Sequence, residues 1–236
     1  MTESAAPCVG VVIVAAGASR RMVGVDKTWA VVNGQPIVAH TVQVFVASPH
    51  INDIVLVVAA DRVAQAQQLA LELGWQKVRA LVAGGARRRD SVLAGLEALP
   101  PTDGIVLIHD GARPLVTDAI IAAGLRAVAQ TGAAIPGVPV KDTIKRVDAQ
   151  GIIIETPDRA TLYTVQTPQI FDRALILAAH RSVDSTLDVT DDARLAELQG
   201  HQVCIFPGAY TNIKITTPED LAIAQALWGV SDSPVG

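Results

Sequence analysis

Residues 11–16 read Val-Val-Ile-Val-Ala-Ala, Gly17-Ala18-Ser19-Arg20-Arg21-Met22 follow, and Asp26-Lys27 stand just beyond. A short run of small and β-branched apolar residues with no polar position describes a strand buried on both faces. The small residues behind it let the backbone approach a ligand closely, and successive N–H groups there can line an anion nest. Two arginines and a lysine then supply charge. The loop is not a Walker A turn, which ends in Gly-Lys-Ser/Thr. Nor is it Gly-x-Gly-x-x-Gly, since Ser19 stands at the second Gly position.

The same alternation continues outward. Pro36–Ala47 has Ile37, Val38, Thr41, Val42, Phe45 and Val46 at helical spacing, with Pro36 suited to a first turn. Asp53–Ala59 reads as a strand. Asp61–Leu73 reads as a helix capped by Asp61 and stopped by Gly74. Val78–Val82 is a strand, Arg87–Leu99 a helix closed by Pro100-Pro101, Gly104–His109 a strand, and Thr117–Gln130 a helix capped by Thr117. Strand and helix in strict turn predict an α/β fold: a Rossmann-like, mostly parallel (mixed) sheet with helices on both faces and right-handed crossovers.

The rhythm then changes. Ala133–Val140 reads as a strand, while Asp142–Val147 and Gly151–Thr156 flank a turn at residues 148–151, a hairpin signal. No helix covers that hairpin, so it should project as an arm over about 140–158. Its isoleucines need a partner, and a second copy of the chain is the economical one, a homodimer. Tyr163–Gln166, helices near Asp172–Val183 and Asp191–Leu198, a strand Gln202–Phe206, the stretch Asn212–Ile215 and a helix Pro218–Leu227 complete the reading. No linker divides the chain, so residues 1–236 are expected to form one domain.

Composition narrows the function. Half the residues are hydrophobic, 18% are charged and the net charge is −4, which excludes disorder. A nucleic-acid partner would want a basic excess. Three Phe, three Trp and two Tyr are too few for stacking platforms. Cys8 and Cys204 have neither disulfide-framework nor zinc spacing. The first eight residues lack the basic and apolar regions of a signal peptide. The uncharged stretch 28–52 is broken by Asn33, Gly34, Gln35, Pro36, His40, Gln43 and Pro49, so no membrane span is expected. A cytoplasmic protein is the expectation.

The loops behind the strands carry the chemistry, because ligands of open α/β sheets bind at the strands' carboxyl ends. After the third strand comes Gly84-Gly85-Ala86-Arg87-Arg88-Arg89-Asp90-Ser91. A double Gly opening a helix can hold a polar ligand on backbone amides, with Arg88 and Ser91 behind it. Three arginines in a row also describe a solvated face. After the fourth strand comes His109-Asp110-Gly111-Ala112-Arg113-Pro114. Asp110 can bind a ribose hydroxyl or a metal, and Arg113 an anion. His109 reads as a buried structural histidine before a catalytic base, and His40 as structural.

In order and spacing these segments resemble one family. They are the first loop with Arg20-Arg21-Met22 and Asp26-Lys27, Val32–Thr41, Gly84–Leu96, HDGARP at His109–Pro114, PVKDTIKR at Pro139–Arg146, TPDR at Thr156–Arg159, QTPQIF at Gln166–Phe171, TDDA at Thr190–Ala193, and NIKITTPEDL at Asn212–Leu221. From about Val11 to Leu227 the chain is similar to the 2-C-methyl-D-erythritol 4-phosphate cytidylyltransferases of the non-mevalonate isoprenoid pathway. The resemblance implies transfer of a cytidylyl group from CTP to methylerythritol phosphate with release of pyrophosphate, using Mg²⁺ held largely by the CTP phosphates, in a homodimer. It implies that Arg21 and Lys27 stabilise the α-phosphate transition state and that Arg159 and Lys214 place the substrate phosphate. Ala15, Ala16, Gly17, Gly84, Gly85 and Ser91 match the cytidine pocket. Asp110, Arg113, Thr143, Thr167 and Thr190 match contacts to the polyol phosphate. Thr143 and Arg159 match arm residues that reach the neighbouring subunit. No residue is assigned as a metal ligand.

The chain departs from the family pattern at Thr211, where a carboxylate is common, at Ala18-Ser19 and Asp26 in the first loop, and at Ala86. Asp26 could pair with Arg20 or Arg21. Two other readings stand beside this one: a related nucleotidyltransferase acting on molybdopterin or sugar phosphates, and a non-catalytic nucleotide-binding module. A redox Rossmann enzyme fits less well, lacking the glycine fingerprint and its downstream ribose acid.

Overall fold

The structure is a computed structural model that describes residues 7–17, 27–182, 184, 187 and 189–231. The opening strand, β1 (Cys8–Ala15), starts three residues earlier than the apolar run suggests. Behind it come a short hairpin, β2 (Val31–Val32) and β3 (Gln35–Pro36), then α1 (Ile37–Ala47), β4 (Asp53–Val58), α2 (Val63–Glu72), β5 (Val78–Ala83), α3 (Arg88–Ala98), β6 (Asp103–Asp110), α4 (Asp118–Thr131) and β7 (Ala133–Pro139). The second half holds β8 (Arg146–Val147), β9 (Ile153–Glu155), β10 (Tyr163–Val165), β11 (Gln169–Asp172), α5 (Arg173–Ser182), α6 (Asp192–Leu198), β12 (Cys204–Pro207) and α7 (Pro218–Ser231). Thr117 caps α4 as expected, its hydroxyl accepting from Ile120 N. Asp61 does not cap α2; it lies in a 3₁₀ turn, Ala60–Arg62, that leads into the helix.

The main sheet is eight-stranded and mixed. β5, β4, β1 and β6 run parallel. β11 then enters antiparallel between β6 and β7. β7 carries β10 and β11 along one side and β12 along the other, since Gly137 pairs with both Val165 and Pro207. β11 is not foreseen in the sequence. Only four residues long, with Gln169, Ile170 and Phe171 all buried, it shows no alternation.

Side chains of one strand alternate between faces. Val9, Val11 and Ile13 of β1 pack with α1, α2 and α4, through residues such as Phe45, Ala66 and Ile121. Val12 packs on the other face with α3, α5 and α6, through Leu96, Ile176 and Leu195. Burial on both faces explains the uninterrupted apolar runs. α7 lies apart from both layers, packing Ala224 against Val32, Ile37 and Ile215.

The connections step from β1 to β4 to β5 and then return to β6 on the other side of β1. Such a switch point opens a crevice at the strands' carboxyl ends. The expected hairpin is present, formed by β8 and β9, with Arg146 opposite Glu155 and Val147 opposite Ile153. Asp148 organises its turn by accepting from the N–H groups of Gln150 and Ile152. Ile152, Ile153 and Ile154 are each more than half exposed. Among the described residues, no helix is long and apolar enough to cross a membrane.

Candidate active site

The loops after β1, β5 and β6 meet at that crevice. A cavity of about 360 Å³ lies between them, with Ala16, Gly17, Lys27, Gly85, Arg88 and Asp110 in its wall. Ala15, Ser91 and Lys214 also line it, and no aromatic side chain does so among the described residues. Gly84 lies beneath this wall. A Cβ there would overlap Ala16 Cβ and come within 2.7 Å of Ser91 Oγ, so only Gly lets the β5 loop seat against β1. Ser91 Oγ accepts from Gly85 N at 3.1 Å and fixes the turn.

A second cavity of about 210 Å³ adjoins the first, and Arg88, Asp110 and Lys214 line both. Arg113, Gln166, Thr167, Gln169, Thr190 and Asp191 complete its polar wall. Asp110 is the hub. Its carboxylate meets Lys214 Nζ at 2.9 Å, Arg113 Nε at 3.4 Å and Arg88 Nε at 3.6 Å. Burial opposes its ionisation, but Lys214, Arg88 and Arg113 together outweigh burial and hold the carboxyl far below the usual carboxylate range. Arg88 reaches further, to Asp192 Oδ2 at 2.7 Å, and Asp192 in turn contacts His180 Nε2 at 3.1 Å. Burial works against the Arg88 cation; Asp192 and Asp110 more than restore it.

The three consecutive arginines are therefore not one solvated face. Arg87 pairs with Asp90 in a capping arrangement at the start of α3, Arg88 turns inward, and Arg89 donates to the carbonyls of His180 and Asp184. His109 is fully buried. Burial, with the nearby Arg113 and Lys214, takes its pKa down to about 4 against the opposing pull of the Arg113 carbonyl and Asp110, so it is neutral at physiological pH. His40 is also structural, hydrogen-bonded to Val32 O at 2.8 Å and set against Trp228.

Some expected residues lie elsewhere. Thr143 and Arg159 are exposed on the arm side, Arg159 donating to Lys141 O, and neither lines either cavity. Arg21, with Arg20, Ala18-Ser19 and Asp26, falls outside the described residues. Two buried amides are not singled out by the sequence as site residues. Gln169 Oε1 accepts from the N–H groups of Asp192 and Ala193, while its Nε2 donates to Asp191, which pins the turn carrying Thr190. Asn212 donates to Thr167 O, and its own carbonyl accepts from Arg113. The one signal available is a polar residue placed inside an apolar run, as in QTPQIF.

The model of the 2-C-methyl-D-erythritol 4-phosphate cytidylyltransferase (IspD) family matches residues 9–229. The chain belongs to this family. It is 50% identical over 219 residues to the 2-C-methyl-D-erythritol 4-phosphate cytidylyltransferase of Dehalococcoides mccartyi, covering 93% of this chain and 95% of that one. It is 49% identical over 223 residues to that of Alkaliphilus oremlandii, covering 92% and 93%. Among solved structures, it is similar to the 4-diphosphocytidyl-2C-methyl-D-erythritol synthase of Anaerococcus prevotii, with TM-score 0.84 and 32% identity over 94% of this chain and 96% of that one. The Thermus thermophilus enzyme matches with TM-score 0.75 and 30% identity over 92% and 98%. As an IspD-family chain it is a nucleotidyltransferase.

Divalent-cation use is general to such transferases. Among the described residues no cluster of three His, Cys, Asp or Glu side chains forms a cage. The fit is to an ion carried in on phosphates, since Mg²⁺ binds through one or two carboxylates plus substrate phosphates.

Proposed function

We propose that the first cavity holds CTP and the second the polyol phosphate, and that cytidylyl transfer takes place across the shared wall of Arg88, Asp110 and Lys214. The observation that carries this reading is that wall: two cavities of nucleotide and small-substrate scale share three charged residues. The family's reaction is the transfer of CMP from CTP to 2-C-methyl-D-erythritol 4-phosphate in isoprenoid precursor synthesis. A phosphate oxygen of the acceptor attacks the α-phosphorus of CTP, the bond from that phosphorus to the bridging oxygen breaks, and pyrophosphate leaves. A phosphate monoester has a second pKa near ~6 and is largely dianionic at neutral pH, so no general base is needed. Catalysis then rests on positioning and charge neutralisation. The absence of a catalytic histidine fits that demand, His109 being buried and neutral.

In this reading the small-residue loops of Ala15, Ala16, Gly17, Gly84 and Gly85, with Arg88 and Ser91, receive the nucleotide. Arg21 and Lys27 neutralise charge building on the α-phosphate. Asp110, Arg113, Thr167, Thr190 and Lys214 hold the polyol phosphate. Mg²⁺ would be held largely by the CTP phosphates, and when bound would screen their charge. Thr143 and Arg159 serve the site of a second copy, since neither lines a cavity of its own chain. The chain works as one nucleotidyltransferase unit, with the arm over about 140–158 mediating the homodimer, and acts in the cytoplasm. Pyrophosphate release from purified protein with CTP, Mg²⁺ and methylerythritol phosphate tests the assignment. Turnover with this acceptor and none with sugar phosphates is expected; no release across a broad range of pH and metals overturns it.

A further inference from the structure

His109 touches neither cavity, yet its two ring nitrogens determine what one wall of the second cavity can recognise. Nε2 lies 3.1 Å from the carbonyl oxygen of Arg113. A carbonyl only accepts, so Nε2 carries the hydrogen. The ring is fully buried, with Phe45 packed edge-on at 4.9 Å, a setting that disfavours the charged imidazolium and leaves Nδ1 bare. Nδ1 lies 3.0 Å from Thr167 Oγ, and a bare nitrogen can only accept, so the Thr167 hydroxyl donates its single proton there. The same oxygen accepts from Asp110 N–H at 3.1 Å. The backbone of Thr167 is held as well, because Asn212 Nδ2 donates to its carbonyl at 2.9 Å. One lone pair of Thr167 Oγ remains for the cavity that Thr167 lines.

We propose that His109 is a positioning residue that makes Thr167 an acceptor-only contact, so that this wall takes a substrate hydroxyl and turns away a phosphate oxygen. The inference rests on the assignment of the second cavity to the polyol phosphate. It sets the direction of the acceptor in that cavity: a hydroxyl at Thr167, the phosphate at Lys214 and Arg113. A phosphate oxygen has no proton to give and meets only a lone pair at Thr167. A freely rotating threonine would accept either end.

Two isosteric variants separate this role from a general structural one. His109→Asn retains an acceptor near the Nδ1 position, whereas His109→Gln retains a donor near Nε2 and loses that acceptor. His109→Gln is expected to raise KM for the polyol phosphate about tenfold, a hydrogen-bond-sized effect. KM for CTP and kcat should change less than about threefold, and His109→Asn should restore most of the loss. His109→Gln should add nothing further in a Thr167→Val background, because the two act through one contact. Equal losses in both variants, falling on kcat and on KM for CTP alike, overturn the proposal. The dyad is read independently of turnover by ¹⁵N-edited NMR of the intact protein. A bare Nδ1 at neutral pH supports it, and a protonated Nδ1 overturns it. If the wild type turns over no polyol phosphate, the functional reading fails, and the NMR result still decides the dyad.

Discussion

Lys27 and Asp110 show how single residues set the field of the site. A cluster of cations facing phosphates suggests a simply positive pocket, but Asp110 and Asp192 lie among them and pair with Arg88, Arg113 and Lys214. These carboxylates hold the cations in fixed positions before substrate arrives, which is the condition for electrostatic stabilisation without reorganisation. Lys27→Ala should lower kcat by about 10²–10³, the loss typical of one transition-state charge donor, with CTP binding largely kept. Single-turnover pyrophosphate release alongside calorimetric CTP binding checks it; a rise in KM alone would contradict the role. Asp192→Asn should act differently. It leaves Arg88 tethered only by the longer contact to Asp110, so KM should rise for both substrates, and steady-state kinetics with each substrate varied in turn will show it. The residue types at these places are legible as motif letters in the sequence. That Arg88 turns inward while Arg87 and Arg89 serve α3 and α5 is not, because Arg87 is the extended N-cap and Arg88 and Arg89 are the first two helical positions, which point in different directions.

At the scale of elements, the amino ends of the parallel strands carry the opposite arrangement. Asp103 at the start of β6 is buried, and its carboxyl oxygens meet no donor among the described residues. Gly10 of β1 leaves the room it occupies, since a Cβ there would overlap Asp103 Oδ2, and Asp53 of β4 pairs with Gly10 across the ladder. Burial and then the neighbouring Asp53 push the Asp103 pKa up to about 6, with Arg173 and Arg79 opposing. The folded chain therefore binds this proton more tightly than the unfolded chain. Its contribution to stability is full below the ordinary carboxylate pKa and is lost as pH rises toward 6, by about 3 kcal/mol at most. Asp103→Asn should remove that slope, so the difference in Tm between variant and wild type should grow from pH 4.5 to pH 7 and then level off. A constant difference would show that Asp103 ionises normally. Asp110 and Asp192 have the reverse sign: their pKa values lie below the unfolded value, so their stabilisation is full above it and is lost as pH falls.

For the whole molecule the question is what the arm touches. Residues 141–156 are exposed throughout, and Arg159 lines neither cavity of its own chain. In a homodimer joined through the arm, Lys27 of one protomer would work with Arg159 of its partner. Mixing inactive Lys27→Ala with inactive Arg159→Ala should then regain about a quarter of wild-type activity, the share of intact sites after random subunit exchange. No recovery after demonstrated exchange would place Arg159 outside the reaction. Ile153→Asp should lower the solution mass toward that of a monomer and reduce turnover, measured by light scattering and assay on one sample.

The apolar run at 11–16, its alternation with helices, and the small-residue loops behind β1 and β5 determine the sheet, its two helical faces and the end at which the cavities open, because buried strands and turns are specified by local residue size and polarity. Even Thr117 and the arm hairpin are legible on that basis. Tertiary structure alone decided the insertion of β11 between β6 and β7, which is too short to show a period. It also decided the union of Arg88, Asp110 and Lys214 into one shared wall and the His109–Thr167 contact. These join groups far apart along the chain, and their partners are chosen by burial and hydrogen-bond geometry that local spacing does not encode.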